Sequence, residues 1–142
     1  MKFTCSVCIN QQIDKVIEIF LDPNNLKHVQ QGFVSKELIS GDSGKVGAKS
    51  KMVYEKLELV ETIITNNLPE EFKALYEHKH MVNTMKVSFI PLNNVSTRYI
   101  SEIEYTKFNG ILIKLIATLF PRMFKKQVLK WMHLFKNYAE NQ

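Results

Sequence analysis

Near the N-terminus Phe3, Cys5, Val7 and Ile9 alternate with Lys2, Thr4, Ser6 and Cys8, the period of a strand with one buried face. Asn10 then stands where a helix N-cap is expected. Ile13, Val16, Ile17, Phe20 and Leu21 follow at the spacing of one helical stripe. Asp22-Pro23 ends that helix, and Asn24 and Asn25 are placed to cap a second short one over residues 26–30. From Gly32 to Phe108 the pattern predicts six strands, at 33–40, 47–55, 57–66, 71–80, 83–91 and 95–107. Turn chemistry separates them: Gly41-Asp42-Ser43-Gly44, Asn66-Asn67-Leu68-Pro69 and Pro91-Leu92-Asn93-Asn94. Short turns between successive strands imply an antiparallel meander, because parallel pairs need long crossovers.

Three of these strands declare their faces. Phe72, Ala74 and Tyr76 oppose Lys73 and Glu77; Met85, Val87 and Phe89 oppose Lys86 and Ser88; Tyr99, Ile103 and Tyr105 oppose Arg98, Glu102 and Glu104. The strand at 33–40 is ambiguous between its two faces. After Asn109-Gly110 comes a short apolar helix or turn, and Pro121 is suited to the first turn of the next helix. There Phe124, Val128, Trp131, Phe135 and Tyr138 recur at steps of four and three. A helix over 121–140 would be about 30 Å long. Seven strands at about 4.8 Å spacing span roughly 34 Å, more than one helix of about 10 Å diameter can cover. The sheet must therefore curl round the helix, which leaves interior room for bulky core or for a ligand.

This order of strand, two short helices, six strands and long C-terminal helix resembles the SRPBCC superfamily. That is the START-like, birch-pollen-allergen-like helix-grip fold, with polyketide cyclase/dehydrase and coenzyme-Q-binding families among its members. The resemblance rests on Ile13-Asp14-Lys15-Val16 through Phe20-Leu21-Asp22-Pro23, on Gly41-Asp42-Ser43-Gly44 before Val46-Gly47, and on Asn67-Leu68-Pro69-Glu70-Glu71-Phe72. Thr97-Arg98-Tyr99 with Glu102-Ile103-Glu104-Tyr105 completes it. It implies an α+β class, with a curved seven-stranded antiparallel sheet around the terminal helix and residues 1–142 forming one ligand-binding domain. Where many relatives carry a Trp in or after the second short helix, this chain has Lys27-His28-Val29-Gln30.

Charge adds one feature. Residues 1–106 are nearly balanced, whereas residues 107–142 carry Lys107, Lys114, Arg122, Lys125, Lys126, Lys130 and Lys136 against Glu140 alone. The basicity belongs to one segment, either a solvated helix face or a contact with a membrane surface or acidic partner. No nucleic-acid motif accompanies it. The most apolar run, 111–120, is half the length of a membrane span and contains Lys114. Met1-Lys2-Phe3-Thr4 leads into alternation, not into a secretory apolar segment. Cys5 and Cys8, three apart on a strand, point to opposite faces; reduced structural thiols indicate the cytoplasm.

The candidate chemistry is sparse. His78 and His80 share a strand face and continue the row of Phe72, Ala74 and Tyr76. A metal needs a third ligand and none converges; as an acid/base His78 is only a weak candidate, because no orienting carboxylate is visible beside it. Tyr54, Tyr76, Tyr99 and Tyr105 can hold a ligand's polar end, or serve as core with a hydroxyl at the rim. Glu55, Glu58 and Glu61 read as solvated strand charges. No G-x-S-x-G, P-loop, H-E-x-x-H or dinucleotide fingerprint occurs.

The expected ligand contacts are Met52, Tyr54, Tyr76, His78, Met85, Val87, Phe89, Tyr99 and Ile103 from the sheet, with Phe124, Val128, Trp131 and Phe135 from the terminal helix. The expectation is a monomeric or homodimeric binder of a small hydrophobic molecule (lipid, aromatic polyketide or quinone-like) without a cofactor. The alternatives are a cyclase/dehydratase-like enzyme using a cavity His or Tyr, and a protein- or membrane-surface module acting through the basic segment.

Overall fold

The computed structural model describes residues 1–142. Strand β1 (Lys2–Ile9) leads through α1 (Ile13–Leu21), a 3₁₀ turn (Pro23–Asn25) and α2 (Leu26–Val29) into a six-stranded meander. The meander comprises β2 (Phe33–Ser40), β3 (Lys49–Tyr54), β4 (Glu58–Asn67), β5 (Glu71–His78), β6 (Met81–Asn93) and β7 (Ser96–Phe108). Two helices, α3 (Ile111–Leu119) and α4 (Pro121–Glu140), close the chain. The sheet is seven-stranded in the order β1-β7-β6-β5-β4-β3-β2, and every pair is antiparallel. β1 and β2 are thus opposite edges, and the α1–α2 segment between them spans the open side.

Register places one apolar row inside. Val7 pairs with Tyr99, Tyr99 with Phe89, Phe72 with Val87, and Ala74 with both Ile63 and Met85. Irregularities at Ile63/Thr65 in β4, at both ends of the β6–β7 ladder and at two places in β2 bend and twist their strands. They help the sheet to curl as a single-helix core requires. Gly110, with φ +102°, supplies a backbone conformation open to glycine, so that α3 turns back from β7. Pro121 then starts α4, where its missing N–H costs nothing.

Local capping differs from expectation. Gln12, not Asn10, occupies the N-cap of α1 and makes no side-chain cap bond. The Asn10 N–H instead donates to Glu140 Oε2 at 2.8 Å, and the Gln11 amide donates to Ala139 O at 3.2 Å, so this turn is committed to holding the end of α4. Likewise Asp22 Oδ1 accepts from the Asn24 N–H. Asn25 donates to Ile19 O and accepts from the Tyr138 hydroxyl, tying α1 to α4 rather than capping α2. The two thiols diverge as expected: Cys5 is buried, Cys8 exposed, and both are free.

Candidate functional site: an apolar cavity with a charged station

The interior is filled unevenly. Phe20 of α1 meets Phe72, Phe89, Tyr99 and Phe135 edge-on, with ring centroids 5.3 to 6.4 Å apart. Beyond this cluster, between α4 and the strands β3–β7, lies a cavity of about 630 Å³, within the size range of small-molecule sites. Of its 36 lining residues, 25 are hydrophobic. Exposed members of the lining mark its rim: Lys36 and Gly44 on the β2 side, Met123 and Gln127 at the start of α4.

The positions singled out from sequence divide as follows. Met52, Tyr54, Tyr76, His78, Met85, Tyr99 and Ile103 line the cavity from the sheet, and Phe124, Val128, Trp131 and Phe135 line it from α4. Val87 and Phe89 do not. They are 0% and 3% exposed and packed in the filled end beneath α1, because α1 covers that stretch of β6. His80 lies beyond the end of β5 and is exposed; its backbone N–H donates to His78 Nδ1 at 3.2 Å. Burial, then the neighbouring His80 and Lys79 charges, hold His78 below its ordinary value.

One expectation is overturned. Glu61 is not a solvated strand charge: it is 5% exposed and lines the cavity. On β4 it lies opposite Tyr76, whose hydroxyl donates to Glu61 Oε2 at 2.8 Å. Lys36 Nζ donates to Glu61 Oε1 at 2.9 Å, which also settles the direction of Lys36 on the ambiguous strand β2. A buried carboxylate needs such partners, since an unpaired one costs several kcal/mol. Burial and the Glu61 charge keep the Tyr76 hydroxyl protonated well above its usual range. Tyr54, shifted upward by burial and then by Glu61, donates to Gln30 Oε1 at 2.6 Å. Burial alone pushes Tyr105 up to about 12. The tyrosines are therefore donors at neutral pH.

Two further polar atoms in the lining residues are buried without a hydrogen-bond partner, Ser101 Oγ and Trp131 Nε1. The Trp131 ring lies parallel to Tyr54, with centroids 6.5 Å apart. In place of the expected tryptophan near α2, His28 stacks on Tyr138 of α4 at 5.0 Å and Gln30 bonds Tyr54, so α2 is joined to both walls.

Sequence reasoning missed Glu61, Lys36 and Gln30. The available signal was parity: Glu61 falls in the row Leu57, Leu59, Ile63, a lone charge among apolar positions. The other face of β4 sets Val60 and Ile64 among Glu58, Thr62 and Asn66, so both faces mix apolar and polar positions, which hid it.

No known family's sequence profile matches the chain, and no curated protein sequence does. Solved structures do. A Thermus thermophilus protein superposes with a TM-score of 0.76 at 14% identity, covering 98% of this chain and 97% of that one. A hypothetical protein of Helicobacter pylori gives 0.76 at 11%, covering 98% and 88%. Norcoclaurine synthase from Thalictrum flavum, in complex with dopamine and hydroxybenzaldehyde, gives 0.71 at 15%, covering 100% and 87%. At these identities the likeness concerns fold. The chain shares the helix-grip fold of these structures, a curved seven-stranded antiparallel sheet around a long C-terminal helix.

Proposed function

We propose that this protein binds one small, mainly apolar molecule with a single hydrogen-bonding end, and carries or sequesters it in the cytoplasm. The observation that carries this reading is the apolar cavity of about 630 Å³ with the Lys36–Glu61–Tyr76 station in its wall. Excluding apolar ligand surface from water contributes about 2.5 kcal/mol per 100 Å². The polar end would be oriented by the station and by Ser101 and Trp131, whose unpaired atoms each cost about 1–3 kcal/mol until they find a partner. A lipid, aromatic polyketide or quinone-like molecule has this build. The small aromatic molecules held by norcoclaurine synthase, which shares the fold, support a guest of this size class.

Native mass spectrometry of the purified protein tests this. The expected spectrum shows one small molecule per chain, retained or taken up from a lipid and aromatic-metabolite extract. A bare chain under both conditions would refute the reading.

A second reading is acid/base catalysis in the same cavity. It is favoured by Glu61 meeting two donors while His78 takes the next inward position after Tyr76 on β5. It predicts that His78→Ala abolishes turnover of the bound molecule and spares its affinity; lost affinity with intact turnover would return the residue to a binding role.

A further inference from the structure

The cavity does not use the outer face of α3, and that face is unusual. Ile111, Leu112, Leu115, Leu119, Phe120 and Met123 are 88%, 71%, 51%, 59%, 55% and 58% exposed. Leu112, Leu115 and Leu119 stand at i, i+3 and i+7 and so share one side of the helix. On the adjoining side Ile113 and Ile116 line the cavity. α3 is therefore apolar over most of its circumference, with Lys114 and Thr118 together on the remaining side, a composition suited to a buried or membrane-associated helix, yet it rests chiefly on α4. The nearby chain carries Lys107, Lys114, Arg122, Lys125, Lys126 and Lys130 with no acidic residue among them. None of these six cations forms a salt bridge.

We propose that α3 and the first turn of α4 dock the protein on an anionic lipid surface, with the cavity rim turned toward the membrane. A second copy of the chain fits less well, since pairing α3 with itself would bring two unpaired basic rims together. An anionic bilayer offers apolar depth for the leucines and opposite charge for the lysines. At nine residues α3 is too short to span a hydrocarbon core of about 30 Å, so it lies in the interfacial plane. Met123 belongs to both the exposed face and the cavity lining. A guest could thus pass between bilayer and cavity along an apolar path; that consequence rests on the ligand-binding reading, whereas docking stands on the surface itself.

Vesicle flotation separates the two. The protein is expected to float with phosphatidylcholine vesicles containing phosphatidylglycerol, far less with phosphatidylcholine alone, and less as salt rises. The double variant Leu112→Asp/Leu115→Asp should weaken binding about tenfold or more, with an unchanged circular dichroism spectrum and melting temperature. Lys125→Gln/Lys126→Gln should reduce the salt dependence. A Val128→Phe variant, which narrows the cavity, should float normally even though it holds a guest more weakly. Three results would overturn docking: no preference for anionic vesicles, equal flotation of the aspartate variant, or a dimer in light scattering that the aspartate variant dissolves.

Discussion

The two ends of the β-sheet face the same helix and are filled differently. At α1, Ile9, Val16 and Val87 are fully buried and four aromatic rings pack edge-on around Phe20. Toward β2, the side chains of Val34, Leu38 and Ile39 are roughly half exposed and the interior is hollow. The cause is the lie of α4. Among the strands its backbone approaches β1 most closely, so the space between it and β3–β5 must be bridged by side chains alone. A single helix in a seven-stranded grip can fill one side of its sheet. The other side is left for polar networks and a guest.

Substitutions on the two sides should separate accordingly. Phe89→Ala, in the filled end, is expected to cost about 3–5 kcal/mol in urea unfolding, as removal of a packed ring does. Met85→Ala, two pairs along the same inward row of β6 but on the cavity wall, should cost about 2 kcal/mol, the low end for such truncations. It enlarges an existing space and strips contacts from only part of its surroundings. Equal losses would mean that the hollow end is packed as tightly as the filled one. Lys36→Met should cost about 1–3 kcal/mol, since it takes a charged donor from a carboxylate that is nearly out of water. A neutral result would show Glu61 solvated.

The smallest effect belongs to pH. The Asn10 backbone N–H, then Lys136, hold the Glu140 carboxyl below its ordinary 4.5. Its folded-state value being depressed, the stability it contributes is present above about pH 4.5 and is lost as pH falls through the lowered value. Glu140→Gln should therefore lower stability by a constant amount above about pH 4.5 and flatten the acid limb of the stability profile. An identical acid limb in wild type and variant would remove Glu140 as the latch between α4 and the turn after β1.

Most of the fold was legible because hydrophobic period and turn residues agree along the chain: alternation in β1, β5, β6 and β7, the stripe of α4, and Gly or Pro at the breaks. The cavity was legible only as a mismatch of widths. Its polar station was not, because Glu61 lies on a strand whose two faces both mix apolar and polar residues and Lys36 on a bulged edge strand whose side chains are mostly in water. Partnership across β2 and β4 is a property of the curl, which no local window contains. Val87 and Phe89 follow the same logic: alternation gives their face, but only the position of α1 decides that they are covered by protein.

The direct test of the hollow end uses Trp131, the single tryptophan, which lies in the cavity wall beside Tyr54. Titration with 1-anilinonaphthalene-8-sulfonate should quench its fluorescence saturably with one site per chain. Val128→Phe, which pushes a ring into the space, should weaken that site about tenfold or more, roughly 1.4 kcal/mol, without lowering the unfolding midpoint. No saturable quenching in the wild type, or an unchanged affinity in Val128→Phe, would contradict the cavity as a binding site.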